Sequence, residues 1–367
     1  MKTRLFKKIL FSGILLLVLL IITEIILSVL NPFPDGFYTG TPDSGFIWEI
    51  NTDEIIGIQG SSEVKFDRLG ARSTSNFEEK QHKIVAFGGS TTACFALTQQ
   101  LTWTALLEKK LGESYWVGNF GLPGNSSNHH LLQFKHILKK PELKDVKTVL
   151  ILQGGNDFVG YLVSSNFYLN SSDDQLKKIA FQHLPKKEYA FRQRFALYQL
   201  LRKAKQKIIF YLYHKESLTQ TANSIKLKRQ TSNLVEKLPA LTEGLNHYEN
   251  NIQDIIDMAK ERDLEVVFMT QPTMWKENLE PQYEKLLLTS GFMNNEQFYS
   301  TAALSEGMSA FNERLKMVCD KNEVKYIDLN LPKTTETFYD DFHFNESGAE
   351  LMSDQISKFL LSKSSRN

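Results

Sequence analysis

The chain has 367 residues, with 43 Lys and Arg against 42 Asp and Glu, and 20 Gly, 10 Pro and 2 Cys. At 42% hydrophobic and 23% charged it has a globular composition, which excludes disorder, a collagen-like chain and a disulfide scaffold. A net charge of +1 argues against a dedicated nucleic-acid binder, whose domain carries a basic excess.

At the amino terminus Lys2, Arg4, Lys7 and Lys8 precede a run from Ile9 to Leu30 that is nearly all Leu, Ile and Val. As a helix this run is roughly 33 Å long, enough to cross a bilayer core of about 30 Å. No A-x-A-like cleavage site stands before Pro32, so an uncleaved anchor is expected in preference to a removed signal peptide. The basic cluster belongs in the cytoplasm, which puts the chain from about Asn31 onward on the periplasmic or outer face of a cell membrane. Glu24 interrupts the run in its last third, where a carboxylate is tolerable near the far interface, protonated, or against a partner helix. Cys94 and Cys319 lie far apart and are expected to be two unpaired, packed thiols.

Residues 31–80 form a loop-rich lead-in, and from there a strand-then-helix rhythm sets in. His82 to Phe87 is a short apolar strand, followed by Gly88-Gly89-Ser90 and a helical pattern through Leu111. Tyr115 to Phe120 reads as a second strand, then a Gly/Pro/Asn turn and a helix from about Asn128 to Lys139. Val146 to Gln153 is a continuous apolar run of the kind buried in a parallel sheet. Tyr248 to Arg262 has helical spacing, Leu264 to Thr270 is a strand, and Ala310 to Cys319 a helix. Val324 to Leu329 is the last strand and Glu346 to Leu361 the terminal helix. This alternation predicts a doubly wound α/β domain, whose chemistry lies outside the carboxyl ends of its strands.

Four segments following strands carry reactive chemistry. They are Gly88-Gly89-Ser90, Gly121-Leu122-Pro123-Gly124-Asn125, Gly154-Gly155-Asn156-Asp157 and Asp340-Asp341-Phe342-His343. A serine hydroxyl is a weak nucleophile that needs a base, and the base needs a carboxylate to fix its tautomer. His343 with Asp340 three residues earlier supplies both, although Asp341 competes for the orienting role. The backbone N–H of Ser90 at a helix start, the N–H of Gly124 and the amide of Asn156 are donors of the right type for an oxyanion hole.

In this order and spacing the four blocks resemble the SGNH superfamily, the GDSL-type esterases and lipases, over about Ile84 to Leu361. The resemblance implies a flavodoxin-like three-layer α/β/α sandwich of about five parallel strands. It also implies Ser90 as nucleophile, Asp340 and His343 as its partners, and Ser90, Gly124 and Asn156 as oxyanion donors. The family's Asp before the Ser is Gly89 here and the Leu after it is Thr91, a variation similar to membrane-anchored, polysaccharide-modifying bacterial branches. The blander alternatives are a linker-like Gly-Gly-Ser turn, Asn156-Asp157 as a helix cap, and Asp340 to His343 as a solvated turn.

The other seven histidines lack an Asp three residues upstream, and no metal-ligand spacing exists, so neither a metal nor a cofactor is expected. His129 and His130 read as packing or substrate-contacting residues. Residues 81–363 thus form the expected catalytic domain, with a helical insertion at about 160–245. From Lys177 to Arg229 that insertion has fourteen Lys and Arg against Glu188 and Glu216, with Phe191, Phe195, Tyr198, Phe210, Tyr211 and Tyr213 interleaved. It reads either as a surface for anionic lipid or glycan, or as a solvated helical face. Sequons begin at Asn125, Asn170 and Asn345, the first and last beside the expected pocket, which favours a host that attaches no such glycans.

The expected activity is hydrolysis, through an acyl-enzyme, of O-acyl groups on envelope or exported polysaccharide. An O-acyltransferase with the same residues, a lipid esterase and a non-catalytic glycan-binding or assembly subunit are the alternatives. The expected partners are an acylated carbohydrate or lipid ester and the membrane.

Overall fold

The computed structural model describes residues 2–30, 35–50, 55, 57–202, 204–205, 208, 225–288 and 298–364. The chain divides into two units, one of Met1–Phe37 and Leu184–Ser217, the other of Tyr38–His183 and Leu218–Asn367. In the first unit α1 (Lys2–Leu30) is a continuous helix, long and apolar enough to cross a membrane by length and composition. Phe210, Tyr211 and Tyr213 lie outside the described residues.

In the second unit the lead-in is less irregular than its composition suggests. Alternating side chains make strands of β1 (Ser44–Trp48) and β2 (Ser62–Phe66), which pair antiparallel. Their inner residues Val64 and Phe66 pack with Ala93, Phe95 and Leu122, so the hairpin leans on the segment that follows Ser90.

The main sheet contains β3 (His82–Gly88), β4 (Tyr115–Asn119), β5 (Thr148–Leu152), β6 (Glu265–Met269) and β7 (Lys325–Ile327). All neighbours are parallel, in the order β4-β3-β5-β6-β7. Counting only these strands, the order is 2-1-3-4-5, the flavodoxin-like arrangement that the family resemblance implies. The strand interiors are near-continuous apolar runs, as required when both faces are covered. The chain reverses its direction of growth at β3, so a crevice opens beyond the carboxyl ends of β3 and β5. The helices are α2, the single turn Ser90–Ala93, α3 (Trp103–Leu111) and α4 (Ser127–Ile137), then α5 (Gly155–Asn170) and α6 (Asp173–Ala180) after β5. Next come α7 (Thr242–Glu261), α8 (Thr301–Lys321) and α9 (Glu346–Ser364). One group pairs α3 with α9, and the other packs α7 against α4, α5 and α8.

The helix expected from Ser90 to Leu111 is broken. A four-residue turn of helix, Ser90–Ala93, ends at Cys94, which is held at φ 49°, and regular helix resumes only at Trp103. The cause is Arg72, 2% exposed, which donates to Ala93 O and Cys94 O at 2.8 and 2.7 Å, to Leu97 O, and to Gln99 Oε1 at 2.8 Å. A guanidinium with five fixed donors collects carbonyls that a continuing helix would have used. Burial lowers its pKa to about 10. Arg72→Met leaves several buried carbonyls without a donor, and urea unfolding is expected to show a loss of about 3 kcal/mol or more. A variant as stable as the parent contradicts this role.

Candidate active site

Ser90 stands at the first position of the short helix after β3, where its own N–H has no intrahelical acceptor. Gly89 O accepts from Thr92 N and Ala93 N at 3.1 and 2.9 Å, closing the turn. A Cβ on Gly89 would lie 2.2 Å from Asn156 Nδ2 and 3.1 Å from Asn125 O. The residue that departs from the family's Asp is therefore the one against which the Asn156 amide packs. Two residues on, Thr91 Oγ1 donates to Gln271 Oε1 at 3.2 Å, which ties the Ser90 turn to the segment after β6.

The loop after β4 and the start of α5 are joined directly. Asn156 Nδ2 donates to Asn125 O at 2.8 Å, which uses one amide hydrogen and orients the other. Gly124 sits at φ 83°, a left-handed conformation costly for any side chain. Asp157, fully buried, accepts from Ser127 N at 3.0 Å, from Tyr168 Oη at 2.8 Å and from Gly154 N at 3.3 Å, and is also bonded by Ser127 Oγ. It caps its own helix, as the blander reading of this pair has it, and at the same time grips the start of α4.

Asp340, 3% exposed, lies opposite His343, with Nδ1 at 2.7 Å from Oδ2 and 2.9 Å from Oδ1. The same carboxylate accepts from the backbone N–H of Phe342 and His343 at 3.1 and 2.9 Å, so the turn folds around it. Because a carboxylate oxygen only accepts here, Nδ1 carries the proton and Nε2 presents its lone pair. His343 Nε2 is 2.7 Å from Ser90 Oγ, across 253 positions of sequence. Burial opposes protonation of His343, but the charge and hydrogen bond of Asp340, with a contribution from Asp341, prevail and raise its pKa above the ordinary 6.5.

Asp341 does not compete for the imidazole. It is fully buried, accepts from Trp275 Nε1 at 2.8 Å and from Leu288 N, and its carbonyl accepts from Met274 N at 2.7 Å. The segment after β6 thereby holds the turn that carries His343. Tyr339, adjacent to Asp340, stacks on the imidazole at an interplanar angle of 9° and a centroid distance of 5.5 Å. Only its neighbourhood in the sequence pointed to it. Gln271 and Trp275 carry no sequence signal for these contacts.

The expected nucleophile, base and carboxylate are thus in one hydrogen-bonded line, and the Asn156 amide is beside the residue preceding Ser90. Gly124 is exposed in the adjoining loop. His129 and His130 are packing residues. His129 Nδ1 accepts from Ser126 N at 3.0 Å in the cap of α4, and His130 Nδ1 lies 3.2 Å from Gln153 Oε1. Burial lowers His129 to about 3, with a smaller push from His130. Among the described residues no cluster has the composition of a metal site. Cys94 and Cys319 are buried and unpaired, each pushed up to about 12 mainly by burial. Asn125 and Asn345 are buried at 1% and 2% exposure, which closes both sequons to modification of the folded chain, whereas Asn170 is exposed.

This architecture is that of an α/β hydrolytic enzyme with a serine nucleophile. A family model, the GDSL-like lipase/acylhydrolase family, matches residues 86–351. The chain belongs to that family and is a serine ester hydrolase. A search of curated proteins finds no match. Similar solved structures include a lipolytic protein of the G-D-S-L family from Desulfitobacterium hafniense, at 10% identity and TM-score 0.39, covering 76% of this chain and 99% of that one. An acetylxylan esterase from Geobacillus stearothermophilus is similar at 11% identity and TM-score 0.40, covering 76% and 94%. A GDSL-like lipase from Bacteroides thetaiotaomicron is similar at 12% identity and TM-score 0.39, covering 79% and 91%.

Since catalysis needs neutral imidazole and the His343 pKa is raised, kcat/KM for a model ester rises with pH through a midpoint above 6.5. In Asp340→Asn the charge that raises this pKa is gone, and a fall of about 10⁴ in kcat is expected together with loss of that midpoint. A variant with an unchanged pH–rate profile contradicts the assignment. In Gly89→Ala the new methyl must displace the Asn156 amide, so kcat falls while KM changes little. The drop approaches the roughly 10²–10³ typical of a lost oxyanion donor. Full activity in this variant places the amide elsewhere during catalysis.

Proposed function

We propose that the chain is a membrane-anchored esterase that removes O-acyl groups from envelope or exported polysaccharide outside the cytoplasm, through an acyl-enzyme on Ser90. The observation that carries the chemical part is the 2.7 Å approach of His343 Nε2 to Ser90 Oγ, with Asp340 on the opposite ring nitrogen. His343 takes the hydroxyl proton as Ser90 Oγ bonds to the ester carbonyl carbon, and Asp340 stabilises the imidazolium that forms. Negative charge moves to the carbonyl oxygen, for which the N–H groups of Ser90 and Gly124 and the second amide hydrogen of Asn156 are the donors. Each is worth about 2.7–4 kcal/mol in the transition state. As the C–O bond to the alcohol breaks, His343 returns the proton to the leaving oxygen and the acyl group stays on Ser90. Water, activated by His343 in the same way, releases the acid and restores the enzyme.

The location rests on α1. Glu24 accepts hydrogen bonds from Ala196 N and Leu197 N at 2.7 and 2.9 Å, so the helix has a fixed partner far along the same unit. A removed signal peptide has no use for such a contact, and the anchor reading accounts for it. An anchored esterase meets polymers of the envelope as they are built or exported. Carbohydrate O-acyl groups suit a serine that is only part-buried.

A fluorophosphonate probe is expected to label the wild-type chain and to leave Ser90→Ala and His343→Ala unlabelled; equal labelling of all three overturns the catalytic assignment. With acylated polysaccharide as substrate the expected product is free acid, short acyl groups being released faster than long ones. Transfer to an added glycan hydroxyl without acid release indicates an acyltransferase instead.

A further inference from the structure

Two features of the first unit have no part in ester hydrolysis. Glu24 and Leu27 are the part-buried positions among the described side chains of α1, one turn apart on a single face, while the rest of the helix is exposed. The bonds from Ala196 and Leu197 N–H groups to Glu24 place a helical start, with its positive dipole end, on the carboxylate. A carboxylate within an apolar span is unfavourable unless its oxygens are met by donors, and here each oxygen is met.

The segment joined at this point is apolar on its surface and basic at the same time. Phe191, Phe195, Leu200 and Leu201 are 75%, 42%, 44% and 61% exposed. Phe191 and Phe195 meet edge to face at 5.3 Å, forming one apolar prominence. Arg192, Arg194, Arg202 and Lys205 are exposed around them. Residues 184–205 hold seven Lys and Arg and one acid, Glu188. A water-exposed surface does not favour large apolar groups at this density, whereas an interfacial helix combines them with Lys and Arg. Depth agrees as well. Glu24 lies six residues before Leu30, roughly 9 Å along the axis. An interfacial helix settles about 5–10 Å into the boundary between headgroups and acyl chains.

We propose that residues 184–205 form a second membrane-binding element, lying in the leaflet where α1 emerges, with Glu24 as the joint and anionic lipid headgroups as the ligand of its basic residues. This deepens the reading of α1 as a retained anchor and rests on it. The element fixes the unit against rotation and lateral tilt, which a single span alone does not do.

The test uses the full chain in nanodiscs of phosphatidylcholine, with or without phosphatidylglycerol. A bimane label is placed at Phe191→Cys, Leu201→Cys or Ile14→Cys, both native thiols being buried. Acyl-chain-brominated lipid reports contact with the membrane interior and aqueous iodide reports contact with water. Labels at 191 and 201 are expected to be quenched about twofold or more by brominated lipid, to be shielded from iodide, and to respond more strongly with phosphatidylglycerol. Adding Glu24→Leu is expected to increase their iodide quenching. If the label at 14 responds to brominated lipid but those at 191 and 201 respond only to iodide, the anchor stands and this inference is overturned. If the label at 14 is also insensitive, the anchor reading falls and this inference with it. Insensitivity to Glu24→Leu removes the joint, and insensitivity to phosphatidylglycerol removes the anionic ligand.

Discussion

His343 meets Asp340 through Nδ1 and Ser90 through Nε2, each at 2.7 Å, and the rest of the catalytic unit is arranged so that both contacts hold at once. Topology makes this demanding. Ser90 follows β3, while His343 follows β7 at the sheet edge, with β5 and β6 between them in the sheet order. A turn that distant needs its own support. It obtains it from the Asp340 carboxylate bonding the backbone N–H groups of Phe342 and His343, and from Asp341 bonding Trp275 and Leu288. One acid faces the imidazole, and its neighbour faces the scaffold.

The other loops are held by the same device. Arg72 gathers the carbonyls after the Ser90 turn, and Asp157 binds the start of α4 to the start of α5, which carries Asn156. Each of these groups is nearly inaccessible to water and meets several polar partners, which is the condition for burying an ionisable side chain without prohibitive cost. The site's rigidity therefore resides in a frame of buried polar residues behind it, while Ser90, Asn156 and His343 reach solvent. Preorganisation of this kind lets donors act on a developing oxyanion without reorganising during the reaction.

Much of this was legible in the residues. Apolar strands, glycine-rich strand ends and the Asp340 to His343 spacing are local patterns, and each reflects a local physical requirement. The hairpin β1–β2 was less legible because its strands are short and its inner face packs on residues near Ser90, a contact with no sequence signature. The break at Cys94 was hidden for a similar reason, since the apolar periodicity runs on past it and Arg72, which causes the break, lies more than twenty positions upstream. Asp341 and Asp340 are chemically alike and adjacent, and only the packing of Trp275 assigns them different tasks. The loop donors were recognisable by type, but the role of Gly89 in accommodating Asn156 is a matter of a few tenths of a nanometre between distant segments.

The central claim is that these loops converge on one tetrahedral centre at Ser90. The crystal structure of the catalytic unit with a phosphonate bound covalently to Ser90 tests it most directly. The account predicts a phosphonyl oxygen within hydrogen-bond reach of Ser90 N, Gly124 N and Asn156 Nδ2, with His343 still on Asp340. A phosphonyl oxygen directed away from all three donors, or an adduct on another side chain, would contradict it.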